Sequence, residues 1–424
     1  MNHLSSRTHR LASWLVWGAA LCVAASALSR QLAGAALLCL WLAALVFSLP
    51  AGRGDLCPAG HPARAAARAW MAACAASVAI YGAAAVAWGE NWYSQAGGFR
   101  LLLTSVAVWA IVRHGGLHIV WRQRFGHALA IACLSACAWA LFTPARQFTT
   151  NAIPWAAGIA FASCVLLPLG LRTDVGHRTR ALWIAAALAA GLAVVLSGSR
   201  GAWPVLPWLV IGAAIGCWRL HHSLARAGSS RLLHISVLAA PLLALAAAVA
   251  FPPALSDPAQ RVSTGLSEIQ PALDELPGSA DSSIGARLAL WTLGLEAFRE
   301  SPWLGIGEAE KQRRIQAKAV RLESPLLAKL GHLHNDYLEH MALYGLVGLA
   351  SLLSLGAGLA VAAVRVRAFD RTAFWQLSGI LFVHSLCELT NVNLYHKYYD
   401  VMLAACVGIV LISLPKKQGA ATAH

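Results

Sequence analysis

Apolar residues in this chain gather into long runs separated by short polar breaks, with no sign of two-residue alternation. The runs fall at about 12–29, 31–50, 69–88, 98–113, 126–142, 154–171, 181–197, 203–218, 233–252, 342–364, 374–390 and 398–414. Each approaches the ~20 residues that a helix needs to cross ~30 Å of hydrocarbon. The pattern predicts an all-α polytopic membrane protein with about twelve transmembrane helices. One break is long. Residues 1–252 are expected to hold helices one to nine, 253–341 a large loop, and 342–424 the last three helices and a short tail.

Composition agrees: of 424 residues, 58% are hydrophobic and 12% charged, a balance that excludes a soluble domain. The formal charge of +15 admits a nucleic-acid reading until the basic residues are placed. With the N-terminus inside, nineteen Lys and Arg fall in inner segments, against five (Arg30, Arg100, Arg146, Arg200, Lys397) in short outer turns. That bias sets the expected orientation, both termini inside, and turns the charge into a topology signal. Nucleic acid is excluded, because no aromatic-interleaved basic motif accompanies the charge. The first run follows a basic leader without a small-residue cleavage site, as expected of a signal-anchor. The ten cysteines lie in or beside apolar runs, without a CxxC pair, and predict packing rather than disulfides or zinc.

The long loop is therefore expected to face outward. With nine basic and twelve acidic residues it is no cationic arm. Its opening is rich in Pro, Ser and Gly. Beyond it, Leu288, Trp291, Leu295 and Phe298 repeat at helical spacing and predict an amphipathic helix on the core or the membrane surface. Pro302 ends that helix, WLGIGE makes a turn, and a polar helix follows from Glu308 to Arg321.

Candidate chemistry collects on this outer side. His332 to Leu349 runs from a polar cluster straight into an apolar helix. Asp336 and Glu339 have capping-box spacing and predict a helix start near Tyr337, with His334 and Asn335 just ahead of it. The positive helix terminus disfavours imidazolium, so His334 is expected to be neutral and able to accept a proton. An interfacial histidine that only caps the helix explains the spacing equally well. Between the seventh and eighth runs, LSGSRGAW places Arg200 between Gly198 and Gly201, with Ser197 and Ser199 close by. A guanidinium at a membrane boundary either snorkels or meets an anion, and its fork suits phosphate. Arg287 opens the amphipathic helix one turn before Trp291, where an ordinary surface role fits as well. Arg261 and Arg146 are weaker versions of the same idea. Lys397 and His396, with Asn391 and Asn393, belong to the last outer turn, and His384 and Glu388 stand one turn apart near it. The outer segments hold no D-x-D pair for a metal on a diphosphate, no Walker loop and no serine nucleophile elbow.

Three of these stretches carry a resemblance to a known family. GSRGAW, then Arg287-x3-Trp291 followed by Pro302-x2-Gly305-x-Gly307, then HNDYLE followed by YGLVGL, resemble the O-antigen ligases (WaaL-type). These stand in a larger group with O-antigen polymerases and protein O-oligosaccharyltransferases. The resemblance spans about Ser197 to Leu349 and implies a GT-C-like membrane glycosyltransferase in a bacterial inner membrane, its active site facing the periplasm. It implies transfer of a preassembled glycan from undecaprenyl diphosphate to a sugar hydroxyl of lipid A core, with membrane lipids as surroundings and no metal or other cofactor. Arg200 and Arg287 match the family's essential arginines, and His334 the histidine before the motif's asparagine. Ser199, Asn335, His332, Arg261, Arg146 and Lys397 are expected to line the substrate site.

A polymerase of this group would show an arginine eleven residues before a glycine in an outward loop. Arg180 and Gly191 have that spacing but start on the inner side. Protein-targeting relatives tend to carry extra C-terminal sequence. A transporter for the same lipid would want polar residues at mid-membrane and broken helices in matching halves, whereas polar residues here concentrate at the outer ends.

Overall fold

The computed structural model describes residues 2–48, 57–91, 96–114, 119–143, 148, 150–226, 263, 267 and 280–415. All regular structure among them is helical. In chain order the helices are α1 (Asn2–Ala25), α2 (Arg30–Ser48), α3 (Pro62–Ala87), α4 (Ala96–Arg113), α5 (Ile119–Phe142), α6 (Ala152–Gly170) and α7 (His177–Leu196). After a 3₁₀ turn at Arg200–Ala202 come α8 (Val205–Arg226), α9 (Ser283–Glu300), α10 (Gly307–Arg321), α11 (Pro325–Ala328) and α12 (Asp336–Val366). The chain ends with α13 (Arg371–Cys387), a 3₁₀ turn at Asn393–Tyr395 and α14 (Lys397–Ile412). Six helices, α2, α3, α5, α6, α7 and α12, are long and apolar enough to cross a membrane. The expected ninth run, Arg146 and Arg261 lie outside the described residues.

Helix starts follow local chemistry. Asn151 accepts from Ile153 N at 3.0 Å to open α6, Ser282 from Gly285 N at 2.9 Å to open α9, and Asp370 from Ala373 N at 3.0 Å to open α13. Small residues set the closest packing. A Cβ on Gly358 of α12 would come within 2.2 Å of Ala73 on α3, and the Ser77 and Ser351 hydroxyls join the same two helices at 3.3 Å. This is how membrane helices approach when lipid is as apolar as their side chains. α6 is the most enclosed candidate span, with 89% of its apolar window buried. Two ion pairs tie distant helices together: Arg100 Nε to Asp400 Oδ2 at 2.6 Å, and buried Arg122 to Asp370 at 2.5 Å. The nine cysteines whose side chains are described are unpaired.

Two expectations are corrected in the loop. The helix after Asp281 forms, but its buried face is Gly285, Ala286, Ala289, Leu290, Leu293, Gly294 and Ala297. Leu295 is exposed, while Leu288, Trp291 and Phe298 are half-buried. Bulk misled the reading, because the small residues admit close contact: a Cβ on Gly294 would lie 2.7 Å from Leu333 Cδ1. The tenth run begins with Asn335 as its cap, accepting from Leu338 N at 3.1 Å, so the expected capping box is displaced by one residue. Asp336 and Glu339 point inward instead, both fully buried.

α12 is broken after two turns. Tyr344 (φ −136°, ψ 19°) and Gly345 (φ 62°, ψ −144°) leave helical geometry. The turn after α9 fills the break: Ile306 N donates to Ala342 O at 2.8 Å, and Leu346 N to Pro302 O at 2.7 Å. Contact is too close for side chains. A Cβ on Gly305 would lie 2.4 Å from the Leu343 backbone, and one on Gly345 2.4 Å from Trp303 C. Both glycines also have positive φ, which side-chain-bearing residues adopt at a cost.

Candidate active site

Residues 331–335 approach the start of α12, with Leu333 as their anchor. Leu333 is fully buried, its N–H donating to Glu339 Oε2 at 2.7 Å. Glu339 also binds the ammonium of Lys311 on α10, which is itself buried and 3.0 Å from Glu308. Burial opposes the charge on Lys311, but Glu339 and Glu308 outweigh it and hold its pKa above the ordinary value. His334 takes a left-handed φ of 54°, uncommon for a residue with a side chain and a form of strain that gathers at functional sites.

His332 and His334 flank Leu333, their rings 4.2 Å apart and edge-on. His334 Nδ1 lies 3.2 Å from Asn391 Oδ1. An amide oxygen only accepts, so Nδ1 carries the hydrogen and Nε2 is left as the basic nitrogen. Asn391 is held in turn, donating from Nδ2 to Asn393 Oδ1 at 3.1 Å, and Asn393 N donates to Asp336 Oδ2 at 2.7 Å. Asp336 N donates to Glu388 O at 2.8 Å, which clamps the 388–393 segment to the head of α12. Glu388 and His384, expected as a pair, lie 3.1 Å apart and are buried behind this clamp.

Burial lowers the pKa of His334 to about 4, and the charges of Arg287 and of His396 when protonated push the same way against the Asn391 contact. His332 falls to about 3, through burial first, then the charges of His334, His396 and Lys311. Both rings are neutral at pH 7. Arg287, at the head of α9, is therefore electrostatically in touch with His334. Its helix is held there by the Pro302–Ile306 turn seated in the α12 break.

Arg200 arrives from a third direction. Gly198 (φ 67°) turns the chain out of α7, and the 3₁₀ turn packs on α6 and α13. A Cβ on Gly201 would lie 2.2 Å from Thr390 Oγ1, so Arg200 stands beside the segment that carries Asn391. Ser199 is buried, its hydroxyl without a hydrogen-bond partner, a donor next to Arg200 that suits an anion. Asn335 is consumed as the helix cap. Lys397 is exposed at the first position of α14, one residue from His396. The role of Asn391 was visible in sequence only as membership of the last outer turn. Lys311 was not singled out at all, because its partner Glu339 lies 28 residues on.

A bundle of apolar helices, six of them long enough to cross a membrane, with a cluster of histidine, asparagine and buried acids at the head of α12, has the build of a multi-pass membrane protein. Residues 184–353, which contain Arg200, Arg287 and His334, match the family model described as O-antigen ligase. A 90-residue stretch is 37% identical to the O-antigen ligase of Escherichia coli K12, over 20% of this chain and 22% of that one. A 160-residue stretch is 29% identical to an uncharacterized protein of Haemophilus influenzae Rd, over 37% of each chain. The matches thus span well under half the length of these relatives. The family match itself covers less than half of the chain.

Proposed function

We propose that the protein is an O-antigen ligase, moving a preassembled polysaccharide from undecaprenyl diphosphate to a sugar hydroxyl of lipid A core at the periplasmic face of the inner membrane. The observation that carries this reading is His334, neutral, held through Nδ1 by Asn391 and facing the charge of Arg287. Nε2 of His334 takes the proton as the acceptor hydroxyl attacks the anomeric carbon. The bond from that carbon to the diphosphate breaks, and its electron pair leaves on the diphosphate oxygen. Arg200, Arg287 and the Ser199 hydroxyl stabilise the charge that develops there, usually a large share of catalysis. One displacement without a protein nucleophile inverts the anomeric centre. Cationic side chains take the part that a divalent metal plays in other diphosphate chemistry, so transfer is expected to survive chelation by EDTA.

The test offers the purified protein lipid-linked glycan together with lipid A core, with further donor, or with a pilin-like protein. Extension of the lipid A core alone supports the ligase; extension of the donor or the protein makes it a polymerase or a protein O-oligosaccharyltransferase. Arg200→Ala, Arg287→Ala and His334→Ala are each expected to lower transfer, the histidine by about 10²–10⁴. Near-normal transfer by folded variants would reject the assigned roles.

A further inference from the structure

Where α6 ends and α13 begins, three segments bring arginines to one cavity of about 450 Å³. Arg172 follows α6, Arg219 lies on the second half of α8, and Arg371 opens α13. Leu167, Ile215 and Trp375 are among the apolar residues that continue its wall. The positive-inside pattern assigns this end to the cytoplasmic side. Among the described residues, no carboxylate lines the cavity. Of the carboxylates adjoining its arginines in sequence, Asp174 binds Arg172 Nε at 2.8 Å, while Asp370 is engaged by Arg122 and by the N-terminus of α13. Arg219 and Arg371 are exposed, so the cavity keeps a net positive charge.

We infer that this cavity is a binding site for an anionic phospholipid of the inner leaflet. The headgroup phosphate sits among Arg172, Arg219 and Arg371, and an acyl chain lies along Leu167, Ile215 and Trp375. Charge complementarity selects the occupant. A basic pocket between membrane helices at the cytoplasmic level suits an anionic headgroup, and guanidinium forks match phosphate oxygens. The adjoining apolar wall, in a volume typical of small-molecule sites, adds the tails that a free phosphate lacks. The apolar run at 233–252 could not supply the counter-charge, since it contains no Asp or Glu.

The full-length protein, purified in detergent and stripped of lipid, is titrated with phosphatidylglycerol, phosphatidylcholine or inorganic phosphate, and bound lipid is counted by native mass spectrometry. Phosphatidylglycerol is expected to bind on the order of tenfold more tightly than phosphatidylcholine. Arg219→Gln/Arg371→Gln should bring that ratio close to one, and phosphate at equal concentration should not displace the lipid. In the unsubstituted protein, photoactivatable phosphatidylglycerol is expected to label the wall at Leu167, Ile215 and Trp375, a readout independent of how the variant folds. Equal binding of the two lipids, displacement by phosphate, labelling spread evenly round the bundle, or crosslinked dimers through this face would overturn the site.

Discussion

At the scale of single residues, the proposed mechanism depends on keeping one imidazole neutral and aimed. Burial and Arg287 both disfavour a proton on His334 and bring its pKa to about 4. The neutral base therefore dominates above that value and is lost only as pH falls through it. For the free enzyme, kcat/KM should stay level through pH 6.5, where an ordinary histidine titrates, and decline only toward pH 4. Two substitutions separate the contributions. Arg287→Gln removes an opposing charge and should move the acid limb upward. Asn391→Leu should lower kcat by about 10²-fold through misalignment while leaving the limb at or below pH 4. A pH–rate series on the three proteins decides it. The three residues to which the proposal gives chemical roles, His334, Arg200 and Arg287, stand out in sequence because each sits in a short motif. Asn391 does not, because nothing local marks the residue that reaches across 57 positions to the ring.

At the scale of elements, the glycines of the Pro302–Gly307 turn and of the YGLVGL stretch form one joint. Gly305→Ala would force a Cβ against the Leu343 backbone at a positive φ. It should cost at least about 1–3 kcal/mol and shift α9 relative to α12. The expected signature is a lower unfolding temperature in detergent together with reduced transfer. An unchanged melting curve would show that the turn does not need glycine there. Sequence periodicity found both helices and left the bulky stripe of α9 to either the core or the membrane surface; the face buried in the protein is a different one. Large apolar residues are conspicuous, whereas Gly285, Ala286 and Gly294 carry the contact by being small. The cap was misplaced for a related reason. Asp336 and Glu339 have the right spacing for a box, yet Asn335 caps and the two acids serve Asn393 and Lys311.

At the scale of the whole molecule, hydropathy alone foresaw a helical membrane bundle, and six described helices have the length and composition to cross. What hydropathy does not encode is which distant ends meet, and here buried ions decide. Arg122, only 4% exposed, joins α5 to Asp370 at the start of α13 and also donates to Ser413 O at 3.2 Å. Asp370→Ala would strand that guanidinium and remove the cap of α13, at a cost of about 3–5 kcal/mol. Asp370→Asn keeps the cap and should lose less, and thermal unfolding in detergent orders the three proteins. The broken helix has a wider bearing. An interrupted ladder at a membrane boundary must find partners in protein, and Ala342 and Leu346 find theirs in the Pro302–Ile306 turn. The Pro302–Ile306 turn with its helix α9 and the start of α12 are thus not separable modules. A chimera that borrows a relative's loop to change acceptor preference has to bring the matching helix break with it, so this joint limits where such chains can recombine.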